Sequence, residues 1–232
     1  MKKRSKRYQK AAAMVVAGKE YTLEEAADLV RKFPTVKFNQ TVTISFRMGV
    51  DPKKSDQMVR GSCPLPHGSG KTVKVLVFAQ GNAAESAKAA GADIVGYEDL
   101  IAKIKDGFLD FDVAIATPEA MTEVRKLGKQ LGPRGLMPNP RTGTVSDDPA
   151  AAVKAVKAGR AEFKLDKNGN IAAGVGKVSF EVAQIVENAA ALIEAVSRSR
   201  PPSAKGRFIE SCTLTATMSP GLPVNISKFV KI

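Results

Sequence analysis

Three places in this chain hold residue types that do chemistry elsewhere, and each lacks a part that its chemistry requires. Gly70-Lys71-Thr72 matches the end of a phosphate-cradling loop of the form G-x-x-x-x-G-K-[ST]. The first glycine should be residue 65, which is Leu65. The lysine opens the apolar run VKVLVFA, so no helix N-terminus faces a phosphate. Gly174-x-Gly176 lies between a predicted strand and a predicted helix, as a dinucleotide fingerprint does. Its third glycine is replaced by Ser179, and the acid about 20 residues on, Glu194, falls mid-helix rather than at a strand end. Cys63 and His67 could pair as nucleophile and base, but their Pro-rich segment offers no third group to orient the imidazole. Cys63, Cys212 and the single histidine are too few for a four-ligand zinc site, and the two cysteines are expected to be buried free thiols. The expectation is a protein with no catalytic residues, no cofactor and no metal.

The charge pattern points elsewhere. The chain has 232 residues, 36 basic and 23 acidic side chains, and a net charge of +13. Residues 1–70 carry 14 basic against 6 acidic groups, residues 71–158 carry 12 against 11, and residues 159–232 carry 10 against 6. Both ends are basic and the middle is balanced. If the ends fold together, one body holds nearly all the excess, which suits a polyanionic partner. Lys2, Lys3, Arg4, Lys6, Arg7 and Lys10 ahead of AAAMVVAG imitate a signal peptide, but the apolar stretch is short and Lys19-Glu20 closes it. A basic arm running into a short helix is expected instead, in a cytoplasmic protein. No run approaches the ~20 apolar residues of a membrane span.

The elements that must position these charges follow from periodicity. Thr22 and Glu25 form a capping box for a helix whose Leu23, Ala26, Ala27 and Val30 share one face. Thr41 to Met48 alternates, with Val42, Ile44, Phe46 and Met48 on one side. Beyond Pro64, Pro66, Gly68 and Gly70 the pattern becomes apolar strands (73–79 and 112–116) between helices (83–90, 97–105 and 118–126), the last capped by Thr117, and Asp148-Pro149 starts another helix. Past Gly159, segments 162–165 and 170–175 flank Asn168-Gly169 and predict a hairpin. Ser179 is expected to cap a long helix with a stripe of Val182, Ile185, Val186, Ala189, Leu192, Ile193 and Val196, and residues 207–217 form a last strand. The fold class is α/β with two domains: a split domain from 1–67 and 159–232, and an inserted parallel α/β domain over 68–158. Crossings rich in Gly and Pro would permit a hinge.

Aromatics are only 6% and Trp is absent, which disfavours a stacking platform for single strands. Hydroxyls and backbone groups beside positive charge suit ribose 2′-hydroxyls and shaped RNA. Thr213, Thr215 and Thr217 alternate, so their hydroxyls can share one face; a solvated β face would show the same pattern. A nucleotide-using enzyme on the inserted domain, and an assembly scaffold whose basic arm docks a protein, are the readings from other classes.

LGPRGLMPNP (131–140) with Gly143-Thr144-Val145 strongly resembles the signature of the universal first-numbered protein family of the large ribosomal subunit, in its bacterial branch. KRY (6–8), YTLEEA (21–26), Lys37-Phe38, GVDPKKSDQMVRG (49–61), LPHGSGK (65–71), GKVSF (176–180), AKG (204–206) and Thr217-Met218 extend the match. The resemblance implies a Rossmann-like inserted domain and a place on the mobile stalk beside the exit site. It implies three RNA partners: large-subunit ribosomal RNA of the stalk, exit-site transfer RNA whose release is assisted, and the messenger of its own operon, whose translation is repressed. No DNA, membrane or self-association outside the ribosome is implied. The matching RNA-binding positions are Lys37 on phosphate, Phe38 on ribose or base, and Ser211, Thr217 and Met218 on the last strand, to which the alternating hydroxyls add Thr215. Ser219, Lys167 and the arm residues Arg4, Lys6 and Arg7 complete the expected RNA-binding set, with Arg134 as a possible second contact. Ser219 stands where the family usually has glycine, and Asn39-Gln40 where it commonly has two acids.

Overall fold

The computed structural model describes residues 4–34, 36–204, 206–227 and 229. In chain order the elements are α1 (Lys6–Ala13), α2 (Leu23–Lys32), β1 (Thr41–Met48), β2 (Arg60–Pro64), β3 (Val75–Phe78), α3 (Gly81–Ala89), β4 (Ile94–Gly96) and α4 (Glu98–Lys105). They continue with β5 (Val113–Ala116), the one-turn helices α5 (Met121–Val124) and α6 (Gly128–Leu131), and α7 (Pro149–Gly159). The last five are β6 (Arg160–Lys164), β7 (Asn170–Lys177), α8 (Val182–Arg198), β8 (Ile209–Ala216) and β9 (Leu222–Val224). The chain divides into two compact units, Met1–Gly70 with Ala161–Ile232, and Lys71–Arg160.

The split unit is built on an antiparallel sheet of order β7-β1-β8-β9. Alternation along β1 sends Val42, Ile44, Phe46 and Met48 into the core, the same buried cluster that takes the apolar faces of α2 and α8. The capping box of Thr22 and Glu25 starts α2, with Thr22 Oγ1 accepting from Glu25 N–H at 3.2 Å. On α8, Ile185, Ala189, Leu192, Ile193 and Val196 are buried, and each large aliphatic side chain among them stabilises the unit by about 1.5–3 kcal/mol. The opposite sheet face is left to Thr43 opposite Thr215, Ser45 opposite Thr213 and Arg47 opposite Ser211.

In the inserted unit the strand order is β4-β3-β5 and both pairings are parallel. Val75 and Val77 of β3 pack with Ala87, Val153 and Val156 of α3 and α7. Leu76 and Phe78 pack with Ile101 and Ile104 of α4 and with Val124 and Leu131. A strand covered on both faces must be apolar throughout, which is why β3 shows no alternation.

Four local expectations are corrected. Segments 160–164 and 170–177 do not form a hairpin ladder: β6 pairs with β2 in a separate two-stranded sheet, whereas β7 is taken up along the length of β1. What remains local is the turn, where Asp166 Oδ1 accepts from Asn168 N–H at 2.8 Å and Asn170 N–H at 2.7 Å. Ser179 does not cap α8. Its hydroxyl accepts from Asn39 Nδ2 at 2.9 Å, and the helix starts at Val182, where Gln184 Oε1 accepts from Glu181 N–H at 3.1 Å. Residues 118–120 form turns, and regular helix begins only at Met121, although Thr117 Oγ1 still accepts from Ala120 N–H at 3.4 Å. Strands β2, β4 and β9 show no signal in the sequence: β4 and β9 have three residues each, too few for a period, and β2 shows no alternation in burial along its five residues.

The chain leaves the split unit at a fastened segment. Asn188, fully buried on α8, accepts from His67 N–H at 3.0 Å and donates to Gly68 O at 3.0 Å and Val175 O at 2.8 Å. Gly70 has φ +67, and a Cβ there would come within 2.8 Å of the Phe180 ring. These contacts keep residues 68–70 with the split unit.

Candidate nucleic-acid interface

Strand β8 ends in a turn over Ala216–Ser219 that is held from several directions. Thr217 N–H donates to Thr41 O at 3.1 Å, Thr41 N–H donates to Thr217 Oγ1 at 3.2 Å, and Ser219 N–H closes the turn on Ala216 O at 3.0 Å. Between them Met218 has φ +61, the one positive φ at a non-glycine among the described residues, and is 67% exposed. That conformation costs a residue with a Cβ roughly 1–2 kcal/mol, so the surroundings must over-determine it. They do so through two donors. Gln40, buried, gives Nε2 to Thr217 O at 2.6 Å and to Ser219 Oγ at 3.4 Å. Arg7 gives its guanidinium to Met218 O at 2.5 Å and Pro34 O at 3.4 Å. A carboxylate at position 40 could accept but not donate to these oxygens. The hydroxyl of Ser219 is thus a partner of Gln40 within the turn.

Around this turn the charge is positive. Phe38, just ahead of β1, is 49% exposed and Lys37 beside it is exposed as well. Lys177, opposite Thr41 in the ladder, donates Nζ to Thr41 Oγ1 at 2.8 Å. On α1, Ser5 Oγ accepts from Tyr8 N–H at 3.3 Å, and the Arg4 guanidinium lies 4.4 Å from the Tyr8 ring centroid. Among the described residues, none of Arg4, Lys6, Arg7, Lys37 and Lys177 makes an ion pair. Their charge is therefore available to a polyanion rather than neutralised within the fold.

The expected site residues fall into separate groups. Arg7, Met218 and Ser219 are brought together with Arg4 around one cleft, and Gln40 ties Thr217 to Ser219. Thr215 adjoins them, its hydroxyl donating to Ala216 O at 3.1 Å and Ser219 O at 3.4 Å. Ser211, opposite Arg47, and Lys167, in the turn beside Asn170, stand at the other end of the sheet. Thr41 and Arg47 are six positions apart on β1, roughly 20 Å of strand. The hydroxyls of Thr43, Ser45, Thr213 and Thr215 occupy the face between. Asp166 is held below the usual carboxylate range by the N–H groups of Asn170 and Asn168, and so shapes the turn beside Lys167. Arg134 belongs to the inserted unit, on an exposed turn. Sequence reasoning did not assign Gln40, Lys177 or Tyr8 to the site. Tyr8 and Lys177 stood inside matched motifs, whereas nothing local marked Gln40 as buried.

The three enzyme-like motifs have structural uses. Lys71 pairs with Asp112, whose pKa is lowered by that contact first. Gly174 and Gly176 sit at a bulge opposite Thr43 and Val42, and a Cβ on Gly176 would come within 2.8 Å of the Phe180 ring. His67 Nε2 bonds Glu187 Oε2 at 2.6 Å, while the Cys63 thiol donates to its neighbour Pro64 O at 3.3 Å, so the two form no dyad. Both cysteines are free and buried, and burial pushes the Cys212 thiol up to about 12. Among the described residues no cluster of three or more His, Cys, Asp or Glu could hold a metal, and no helix is long and apolar enough to cross a membrane.

A family model described as the Ribosomal protein L1p/L10e family matches residues 30–220. The chain belongs to this family. Over 223 residues it is 53% identical to the large ribosomal subunit protein uL1 of Thermobifida fusca, covering 96% of this chain and 95% of the relative. It is also 53% identical over 225 residues to the protein of the same name from Bifidobacterium longum, covering 97% and 98%. As a member of this family the protein is a structural constituent of the large ribosomal subunit and takes part in translation; it is not an enzyme. The matched span contains Lys37 through Ser219, and α1 precedes it.

Proposed function

We propose that this large-subunit protein is held in the ribosome by its split unit, which grips structured ribosomal RNA of the stalk. The observation that carries the reading is the Ala216–Ser219 turn, where a strained, exposed Met218 is fixed by Gln40 and Arg7 near cations that make no ion pair among the described residues. Lys37, Arg4, Lys6 and Arg7 take phosphates, and Phe38 and Met218 pack on ribose or base. The hydroxyls of Thr215, Thr217, Ser219 and Ser211 meet ribose 2′-hydroxyls or backbone oxygens, a mode suited to the wide minor groove of A-form RNA. Lys167 adds a phosphate contact about 20 Å along the sheet. The same surface would bind a messenger site of like shape and so repress its own operon. At the cytoplasmic ribosome the inserted unit, with Arg134, would assist release of exit-site transfer RNA. No DNA or membrane partner belongs to this reading, and off the ribosome the protein is a monomer.

The test is a titration of the protein against a stalk fragment of bacterial large-subunit RNA and a scrambled control at several salt concentrations. Expected are much tighter binding to the first and a log–log salt slope of about −0.7 to −0.9 per phosphate contact. Lys37→Ala should weaken binding and reduce the slope by about one contact. Equal and weak binding to both RNAs would refute recognition and leave general attraction to polyanions.

A further inference from the structure

Helix α1 lies before the matched family span, yet it is fastened to the RNA-facing turn. Arg7 reaches Met218 O across 211 positions of sequence. The joining of the two leaves an open cleft of about 400 Å3, lined by Arg4, Ser5, Arg7, Tyr8, Met218 and Ser219. That volume lies in the range that accommodates a small organic ligand. Its lining contains two guanidinium groups, one phenol ring, one thioether and two serine hydroxyls, with no carboxylate among the described residues. The Arg4 guanidinium already lies over the Tyr8 ring, making a layered, cationic surface on which a flat ring can continue the stack. Met218 supplies a polarizable, adaptable side chain in the same lining. Carboxylate side chains of an acidic peptide would use the charge but not the stacking surface, whereas a nucleotide uses both.

We infer that this cleft holds one unpaired nucleotide of the RNA, its base stacked on the Arg4–Tyr8 pair beside Met218 and its phosphate against Arg7. The inference rests on the RNA reading above and adds to it a requirement on the RNA: a base free of pairing next to the gripped helix. It also gives Tyr8 a role as an RNA-contacting residue. The phenol oxygen is not needed, because the stacking surface is the ring.

The experiment uses the full chain and a stalk fragment of bacterial large-subunit RNA. Abasic residues are placed singly at its unpaired positions, and 5-iodouridine is placed at the same positions for photo-crosslinking. At one position the abasic residue should weaken binding by about tenfold, and iodouridine there should crosslink to Tyr8 or Met218. Tyr8→Ala should produce a similar loss on the parent RNA and no further loss on the abasic one, while Tyr8→Phe keeps full affinity. Crosslinking uses the unaltered protein, so an effect of Tyr8→Ala on folding leaves the test intact. Overturning results are full affinity at every abasic position, crosslinks that avoid both residues, or a Tyr8→Ala loss that adds to the abasic loss. Saturable binding of polyglutamate that competes with the crosslink would assign the cleft to an acidic protein instead. Failure of the RNA reading itself is separate: the parent RNA would then bind no better than its scrambled control.

Discussion

Replacing Asn188 by alanine should destabilise the split unit by about 2–6 kcal/mol, a large fraction of a typical domain's stability. The side chain is fully buried on the apolar stripe of α8 and makes three hydrogen bonds to backbone: one accepted from His67 N–H and two donated, to Gly68 O and Val175 O. Val175 is itself fully buried, so its carbonyl is left without this partner at a cost of about 1–3 kcal/mol. His67 and Gly68 are open enough for water to take over, and each loses about 0.5–1 kcal/mol net. The space vacated by the amide adds up to about 1 kcal/mol. Urea unfolding followed by circular dichroism, together with residue-resolved hydrogen exchange, measures the effect. The unfolding transition of the split unit should move to lower urea, and the His67 amide should lose its protection. The inserted unit, reported by Tyr97, should be unchanged. A loss under about 1 kcal/mol with the His67 amide still protected would refute the idea that Asn188 fastens the segment leaving this unit.

Gln40→Leu substitutes an apolar side chain of similar size and removes both Gln40 hydrogen bonds to the 217–219 turn; RNA affinity should fall about 5- to 30-fold, worked from 1–2 kcal/mol for the lost bonds, as read by filter binding with the fold checked by circular dichroism. Met218→Gly should act in opposite directions on two measurements, raising the unfolding midpoint by the ~1 kcal/mol that relief of the left-handed backbone allows while weakening RNA binding through loss of the exposed side chain; a fall in both would show the strain account to be wrong. The Cys212 thiol, held up to about 12 by burial, stays protonated in the fold where an unfolded chain ionises near 9. Its contribution to stability is therefore complete below about pH 9 and is lost as pH rises towards 12, and the Cys212→Ala variant should show a shallower alkaline decline than the parent.

Much of the molecule could be read from the chain alone because the deciding physics was local. Alternation from Thr41 to Met48 set both the core face and the hydroxyl face of β1, and the stripe from Ile185 to Val196 set the buried side of α8. The capping box at Thr22 and the Asp148-Pro149 start were complete within four residues. Charge counting separated basic ends from a balanced middle before any fold was known. What tertiary structure alone decided were the pairings between remote segments. Asn168-Gly169 encodes a turn, but whether its flanking strands pair with each other depends on what else competes for their edges; β1 claimed β7 and β2 claimed β6. Ser179 has a capping side chain, yet Asn39, 140 positions away, takes it. Gln40 is polar and reads as surface until the fold buries it under the turn it supports, 177 positions on. The left-handed Met218, the reach of Arg7 from the N-terminal helix, and the cleft they form exist only because the two ends of the chain meet. No sequence period records a contact made between such distant residues.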